Sequence, residues 1–157
     1  MERADLGPTD LVLDIGAGTG AITWHLAATG ARVIAVEAHP RRAADLRADV
    51  AGRRVKVVSA DASDLRLPRR PFHVVANPPF AITTALLRRL LGPRSLLVRA
   101  DLIVPRHVAA RWAGGRGHAH DRWSATFSAD VTAYVPRAAF RPAPPGPAAV
   151  LTIRRRR

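Results

Sequence analysis

No cysteine occurs in the 157 residues, which excludes a disulfide framework and a thiolate metal site. The six histidines show no metal-ligand spacing, and His118 and His120 fall in a glycine-rich loop where they are read as solvated, so no metal is expected. No apolar run approaches the roughly 20 residues of a membrane-spanning helix, and no signal peptide precedes the first strand pattern. The expectation is no membrane contact and a cytoplasmic location. Lysine is nearly missing: Lys56 is the only one among 25 basic residues. Acidic side chains are scarce in one half. Residues 1–78 carry 11 basic and 9 acidic groups, whereas 79–157 carry 14 and 3. GC-rich coding accounts for arginine in place of lysine, but not for the missing acids.

What is present reads as alternating strands and helices. Leu11 to Ile15 is an apolar strand that runs into Gly16-Ala17-Gly18-Thr19-Gly20. Ala21 to Ala28 reads as a helix stopped by Gly30. Arg32 to Val36 is a second strand, ending at Glu37. A helix follows from Pro40, well placed at a first helical position, through Val50. Arg54 to Val58 is a third strand, followed by Ser59-Ala60-Asp61. A short helical turn near Ser63 to Leu67 leads to the fourth strand, Phe72 to Ala76, and then to Asn77-Pro78-Pro79-Phe80. Beyond it come a helix over 81–91, a strand over 95–104, a helix over 105–112, a loop over 114–120 and a strand over 123–135. A proline-rich loop over 136–147, a last strand over 148–153 and a basic tail over 154–157 complete the chain. This alternation predicts an α/β fold with a mostly parallel, seven-stranded sheet flanked by helices. A single domain over 1–157 is expected.

Gly16, Glu37, Asp61 and Asn77 fall at the carboxyl ends of successive strands, which open α/β sheets bring together at one crevice. The Asp14-x-Gly16-x-Gly18-x-Gly20 loop lets the chain turn tightly and brings backbone close to a ligand. Its Gly-x-Gly-x-Gly spacing favours S-adenosylmethionine over a nicotinamide dinucleotide. Glu37 would then take the ribose hydroxyls, and Asp61 with the Ala62 amide would take the adenine. Taken singly, Glu37 reads equally well as a charge at a helix N-terminus and Asp61 as a turn residue; their shared register favours the site. Asn77 offers an acceptor and a donor on a short arm. The two prolines fix the backbone and remove two donors, and Phe80 adds a flat face. That combination suits a planar group with an exocyclic amine, such as adenine. A basic half beside such a tip is read as a nucleic-acid footprint. Arg88, Arg89, Arg106, Arg111 and Arg116 flank it in sequence and are the expected phosphate contacts.

Leu11 to Gly20, Val36-Glu37, Asp61-Ala62 and Asn77-Pro78-Pro79-Phe80 together resemble the rRNA adenine N6-methyltransferases. Leu97 to Leu102, Arg122 to Phe127 and Val135 to Pro142 are similar to the erythromycin-resistance (Erm) branch in particular. The resemblance covers nearly the whole chain and implies a Rossmann-like class I S-adenosylmethionine-dependent methyltransferase. It implies methyl transfer to the N6 of one adenine in 23S rRNA, before ribosome assembly, with resistance to macrolide-type antibiotics. It also implies that Phe127 faces Phe80 across the flipped base, although a phenylalanine in a strand is more often core. The chain is expected to act as a monomer.

Three departures from the family pattern are visible. A Gln-Asn-Phe-Leu-like segment is not found among residues 1–13, no helical domain is expected after the last strand, and the Pro-x-Pro-x-Val-x-Ser pattern is loose over 142–150. The expectation is a minimal catalytic domain, a truncated chain or a weakened enzyme. The chemistry predicted for Asn77 and Pro78 is acceptance of the two N6 hydrogens, with positioning as the main device and the base taken out of its stack. Two other classes fit the same motifs. One is a methyltransferase acting on DNA adenine or a protein glutamine, against whose protein version the charge asymmetry argues. The other is an RNA-binding module of the same fold that has lost turnover.

Overall fold

The computed structural model describes residues 6–114 and 122–157. Seven strands form one sheet: β1 (Leu11–Ile15), β2 (Arg32–Glu37), β3 (Val55–Ser59), β4 (Phe72–Ala76), β5 (Leu97–Pro105), β6 (Phe127–Val135) and β7 (Ala148–Arg155). Their spatial order is β3-β2-β1-β4-β5-β7-β6. The pairs β1–β2, β1–β4, β2–β3 and β4–β5 are parallel. Only β7 runs antiparallel, slotted between β5 and β6. It follows β6 without a crossover helix, and a direct return requires antiparallel pairing.

Among the described residues four helices cover the sheet: α1 (Ala21–Ala27), α2 (Pro40–Asp49), α3 (Thr83–Leu90) and α4 (Arg106–Ala113). Strand alternation sorts the core into two faces. Val12 and Val33 pack with Leu26 of α1, and Ala35 and Val57 pack with Ala43 and Leu46 of α2. Leu11, Leu13, Ile15, Val74 and Leu102 pack on the other face with α3 and α4. Thr83, Leu86, Leu87 and Leu90 give α3 an i, i+3, i+4, i+7 stripe, which is why that helix buries one side. Right-handed crossovers place the two helix pairs on opposite faces, because the strand order reverses between β1 and β4. That reversal is the topological switch point where open α/β sheets bind ligands.

Several expectations change. The helix expected over 81–91 opens as a 3₁₀ turn, Phe80–Ile82, before α3 begins. Prolines 78 and 79 cannot donate, so the chain enters through a tighter turn. The helical turn expected over 63–67 is only a turn at 62–64 with irregular chain after it. The strand expected from residue 123 starts at Phe127; Thr126 N–H donates to the Trp123 carbonyl in a turn, and Trp123 stacks on Trp112 with centroids 5.8 Å apart. Arg154 and Arg155 belong to β7 and are no free tail. Arg155 donates from Nε to the Leu97 carbonyl (2.8 Å) and from Nη2 to the Ser95 carbonyl (2.6 Å). Arg156 Nε donates to the Ser124 carbonyl at 2.8 Å. Free backbone carbonyls at the sheet end recruit these guanidinium groups. Of the loop expected over 114–120, residues 115–120 lie outside the described residues, and with them Arg116, His118 and His120. No helix among the described residues is long and apolar enough to cross a membrane.

Candidate functional site

Two loops meet at the switch point. One leaves β1 through the glycines and the other leaves β4 through Asn77. Gly16 has φ +81°, and a Cβ there would lie 3.2 Å from Pro79 Cδ and 3.3 Å from both the Asn77 carbonyl oxygen and Pro78 Cα. Glycine is what lets the loops touch. The Gly16 and Ala17 N–H groups both donate to the Val36 carbonyl, at 2.9 and 3.0 Å, which ties the loop to β2 as well. Gly20 precedes α1 at φ +88°, where a Cβ would stand 2.5 Å from Leu46 Cδ1.

A cleft of about 530 Å³ opens over this junction. Of the residues singled out in the sequence, Gly16, Gly18, Glu37, Asp61, Ala62, Asn77, Pro78 and Phe80 line it. Four strand tips therefore do converge. Gly18 is its open floor: a Cβ there would have only the Gly16 carbonyl oxygen near it, at 3.9 Å.

Glu37 is 4% exposed and is held by three partners. Oε2 accepts from Gly18 N–H at 2.8 Å; Oε1 accepts from His39 N–H at 2.8 Å and Arg42 Nε at 3.2 Å. Burial raises its pKa, but the His39 and Gly18 amides and the Arg42 guanidinium outweigh burial and hold it below the ordinary glutamate value. Asp61 Oδ1 accepts from the Ser63 N–H (2.8 Å) and hydroxyl (2.7 Å), which hold its pKa below the usual range. Both side chains are anionic at neutral pH. Oε2 of Glu37 keeps room for a second donor, and Oδ2 of Asp61 has no partner among the described residues.

At the mouth, the Pro79 carbonyl is taken by Ile82 N–H at 3.1 Å. Among the described residues, the Asn77 carboxamide and the Pro78 carbonyl have no hydrogen-bond partner. Two unsatisfied acceptors thus sit beside the Phe80 ring.

Other expected residues lie elsewhere. Asp14 does not line the cleft. It is fully buried under the glycine loop, with Oδ2 accepting from Thr23 Oγ1 at 2.6 Å and Oδ1 unpartnered. Alternation on β1 turns it toward α1, and burial raises its pKa to about 6 despite the Thr23 bonds. Gly20 also stands outside the cleft; its role is the tight entry to α1 against Leu46. Phe127 does not face Phe80. It is 1% exposed, pairs with Arg155, and lies 4.7 Å beneath that guanidinium. Because β6 runs in the direction of β4 and β5, its first residue lies at the amino edge of the sheet, opposite Asn77.

The aromatic residue that shares the cleft with Phe80 is Phe140, from the proline-rich loop. Arg137 Nε fixes that loop by donating to the Pro144 carbonyl at 3.1 Å. Arg42 lines the cleft too, and both it and Phe140 escaped the sequence reading. Phe140 stands in an irregular segment without periodicity; its only signal was its place within the Val135 to Pro142 stretch. Of the flanking arginines, the four among the described residues (Arg88, Arg89, Arg106 and Arg111) do not line the cleft. Arg88 and Arg89 are exposed on α3, with Arg89 donating to the Ser63 carbonyl. Arg111 is exposed on α4, and Arg106 opens α4 with its guanidinium 4.5 Å over the Tyr134 ring.

Comparison with known proteins places the chain in a family. The profile of the family described as "Ribosomal RNA adenine dimethylase" matches residues 1–157. An rRNA adenine N-6-methyltransferase of Corynebacterium diphtheriae is 37% identical over 146 residues, covering 92% of this chain and 57% of that protein. The mycinamicin-resistance protein MyrB of Micromonospora griseorubida is 39% identical over 150 residues, covering 92% and 47%. The chain thus spans about half the length of the curated relatives it matches. Among solved structures, the 23S rRNA methyltransferase ErmE superposes with a TM-score of 0.89 at 31% identity, covering 99% of this chain and 65% of that one. With the switch-point cleft, the paired loops and a family match along its full length, this chain belongs to the ribosomal RNA adenine dimethylase family.

Proposed function

We propose that this chain transfers a methyl group from S-adenosylmethionine to the N6 of an adenine in 23S rRNA, conferring macrolide-lincosamide-streptogramin type resistance. The observation that carries the reading is the pair of unpartnered acceptors, the Asn77 carboxamide and the Pro78 carbonyl, at an aromatic-lined cleft. The resistance and 23S rRNA named for MyrB and ErmE support it.

The residues present fit S-adenosylmethionine. Gly18 leaves an open floor, Glu37 keeps acceptor capacity for ribose hydroxyls, and Asp61 with Ala62 can read an adenine edge. When bound, the cofactor supplies an electrophilic methyl on a sulfonium. The rest is the work of this chain. The adenine N6 lone pair is delocalised into the ring and attacks poorly. Asn77 and Pro78 accept its two hydrogens and draw the nitrogen toward a tetrahedral shape. Phe80 and Phe140 hold the flipped base by stacking, worth about 1–3 kcal/mol per base, which offsets part of the unstacking cost. Catalysis is positioning. As the N–C bond forms, the methyl–sulfur bond would break to leave a neutral thioether. The methylated nitrogen, acidic while it carries the extra proton, would release it to water, so no strong general base is required. On this reading residues 1–157 act as one catalytic domain and a monomer on rRNA before ribosome assembly. Arg88, Arg89, Arg106, Arg111 and Arg116 contact phosphates, which position without specifying.

The test is incubation with labelled S-adenosylmethionine and a 23S rRNA fragment carrying the peptidyl-transferase loop, followed by mapping of the modified base. Label at one adenine N6 is expected, with little on duplex DNA. Asn77→Ala should abolish transfer while cofactor affinity stays at the wild-type value. Equal labelling of duplex DNA would overturn the rRNA assignment.

A further inference from the structure

The opposite end of the same strands carries a second feature. At the amino ends of β2 and β3 lies a groove of about 470 Å³ whose rim holds Arg32, Arg53, Arg54, Lys56 and Arg70. It falls within the half of the chain whose net charge is close to neutral, so composition conceals it. Strand alternation explains the clustering. Leu11 pairs with Arg32, and Ile34 with Lys56, in parallel register. Arg32 and Ile34 therefore point to one face of β2, and Arg54 and Lys56 to the same face of β3. Leu11 and Ile34 form an apolar floor between basic walls. Arg70 reaches over from the chain entering β4, where its Nη2 donates to the Thr9 carbonyl at 3.4 Å. Arg54 Nη1 donates to the Gly30 carbonyl at 3.0 Å, and the Arg53 guanidinium lies 4.6 Å over the exposed Trp24 ring.

Among the described residues none of these five cations has a carboxylate within ion-pairing distance. Like charges on neighbouring strands repel, so the cluster is at its least favourable with no anion present. A concave groove admits a strand of phosphodiesters better than the flat surface of a membrane.

We propose that this groove is a second phosphate-binding track for the RNA substrate, remote from the methylated base. The inference rests on the reading of rRNA as substrate and adds a footprint to it. The groove and the cleft are the two ends of β2, five residue steps or about 17 Å apart. An RNA that reaches from one to the other is longer than the nucleotides that enter the cleft. The affinity gained at the groove is indifferent to sequence and sensitive to salt.

The test compares wild type with Arg32→Gln/Lys56→Gln, two exposed positions outside the cleft. RNA affinity is measured against salt for a long 23S rRNA fragment and for a short oligonucleotide holding only the target adenine and its neighbours. With the long fragment the slope of log K against log salt should become shallower by about 1.4–1.8, two contacts at about 0.7–0.9 each. The short oligonucleotide should bind both proteins equally, and S-adenosylmethionine affinity should not change. Arg41→Gln on α2 controls for net charge and should keep the wild-type slope. Should the double variant melt early, Lys56→Gln alone is read, with a change of about 0.7–0.9. An unchanged slope in an RNA-methylating wild type overturns the groove and leaves the proposed function standing. Equal loss in Arg41→Gln also overturns it, as does binding of phosphatidylserine vesicles through these residues with the RNA slope untouched. A wild type that binds no RNA overturns both readings.

Discussion

Asp14 is a carboxyl group taken out of water with one oxygen bonded to Thr23 and the other bare. Its native pKa, about 6 against an ordinary 3.8, means that the folded state holds the proton more tightly than the unfolded chain. The stability that comes from this group is therefore full below about pH 4 and is lost as pH rises to about 6. Asp14→Asn should remove that decline, so that wild type minus variant changes by about 3 kcal/mol over the window, read as melting temperature against pH. Glu37, with its pKa lowered, works in the opposite sense, and the difference between the two proteins cancels it. A second pair of residues separates chemistry from packing. Phe140→Ala should lose methyl transfer with a small change in melting temperature. Phe127→Ala should lower stability by about 3–5 kcal/mol, with turnover retained wherever the protein is folded. At this scale the sequence was half legible. Glu37, Asp61 and Asn77 follow strand patterns that fix where a tip must be. The partner of Phe80 does not, because the chain between Val135 and Ala148 has no period, and the family resemblance alone pointed to Phe127 instead.

The glycine loop and the Asn77-Pro78-Pro79-Phe80 turn behave as one element although they are far apart in the chain. Gly16→Ala would place a methyl at 3.2–3.3 Å from three atoms of that turn, with the backbone held at φ +81°. Proline ring and backbone cannot swing aside as a flexible side chain would. The expected outcome is a loss of about 1–3 kcal/mol from strain at that backbone angle, together with a fall in kcat as Asn77 shifts, since small misplacements cost large factors. A stability loss with kcat unchanged would separate the two loops functionally. Element boundaries were readable where periodicity and stop signals coincide, as at Pro40 and Gly30. They were misread where proline chemistry acts on the next turn, as at Phe80–Ile82, and over 63–67, where the apolar residues pack under a loop.

Across the molecule, arginine has two occupations that composition does not distinguish. Arg155 and Arg156 end the sheet by capping carbonyls, whereas Arg32 and Lys56 face solvent and have no side-chain partner among the described residues. A charge count assigned the first group to a tail and passed over the second, because burial and pairing are properties of the fold. Arg155→Ala should leave the Ser95 and Leu97 carbonyls bare and uncover Phe127, costing about 2–3 kcal/mol; the check is a lower denaturant midpoint with specific activity intact below it. The position of β7 has a further consequence for manufacture on the ribosome. Among the described residues β6 pairs with β7 alone, and β7 closes the outer side of β5. Val135 ends β6 and Arg155 ends β7, so at about 5–20 residues per second roughly 1–4 s of synthesis separates them. During that interval β5 presents an open edge and β6 has nothing to bond to, the condition in which nascent chains pair with one another. Slower codons over residues 136–155 would lengthen that interval, and the expected outcome is a smaller soluble fraction of newly made chain.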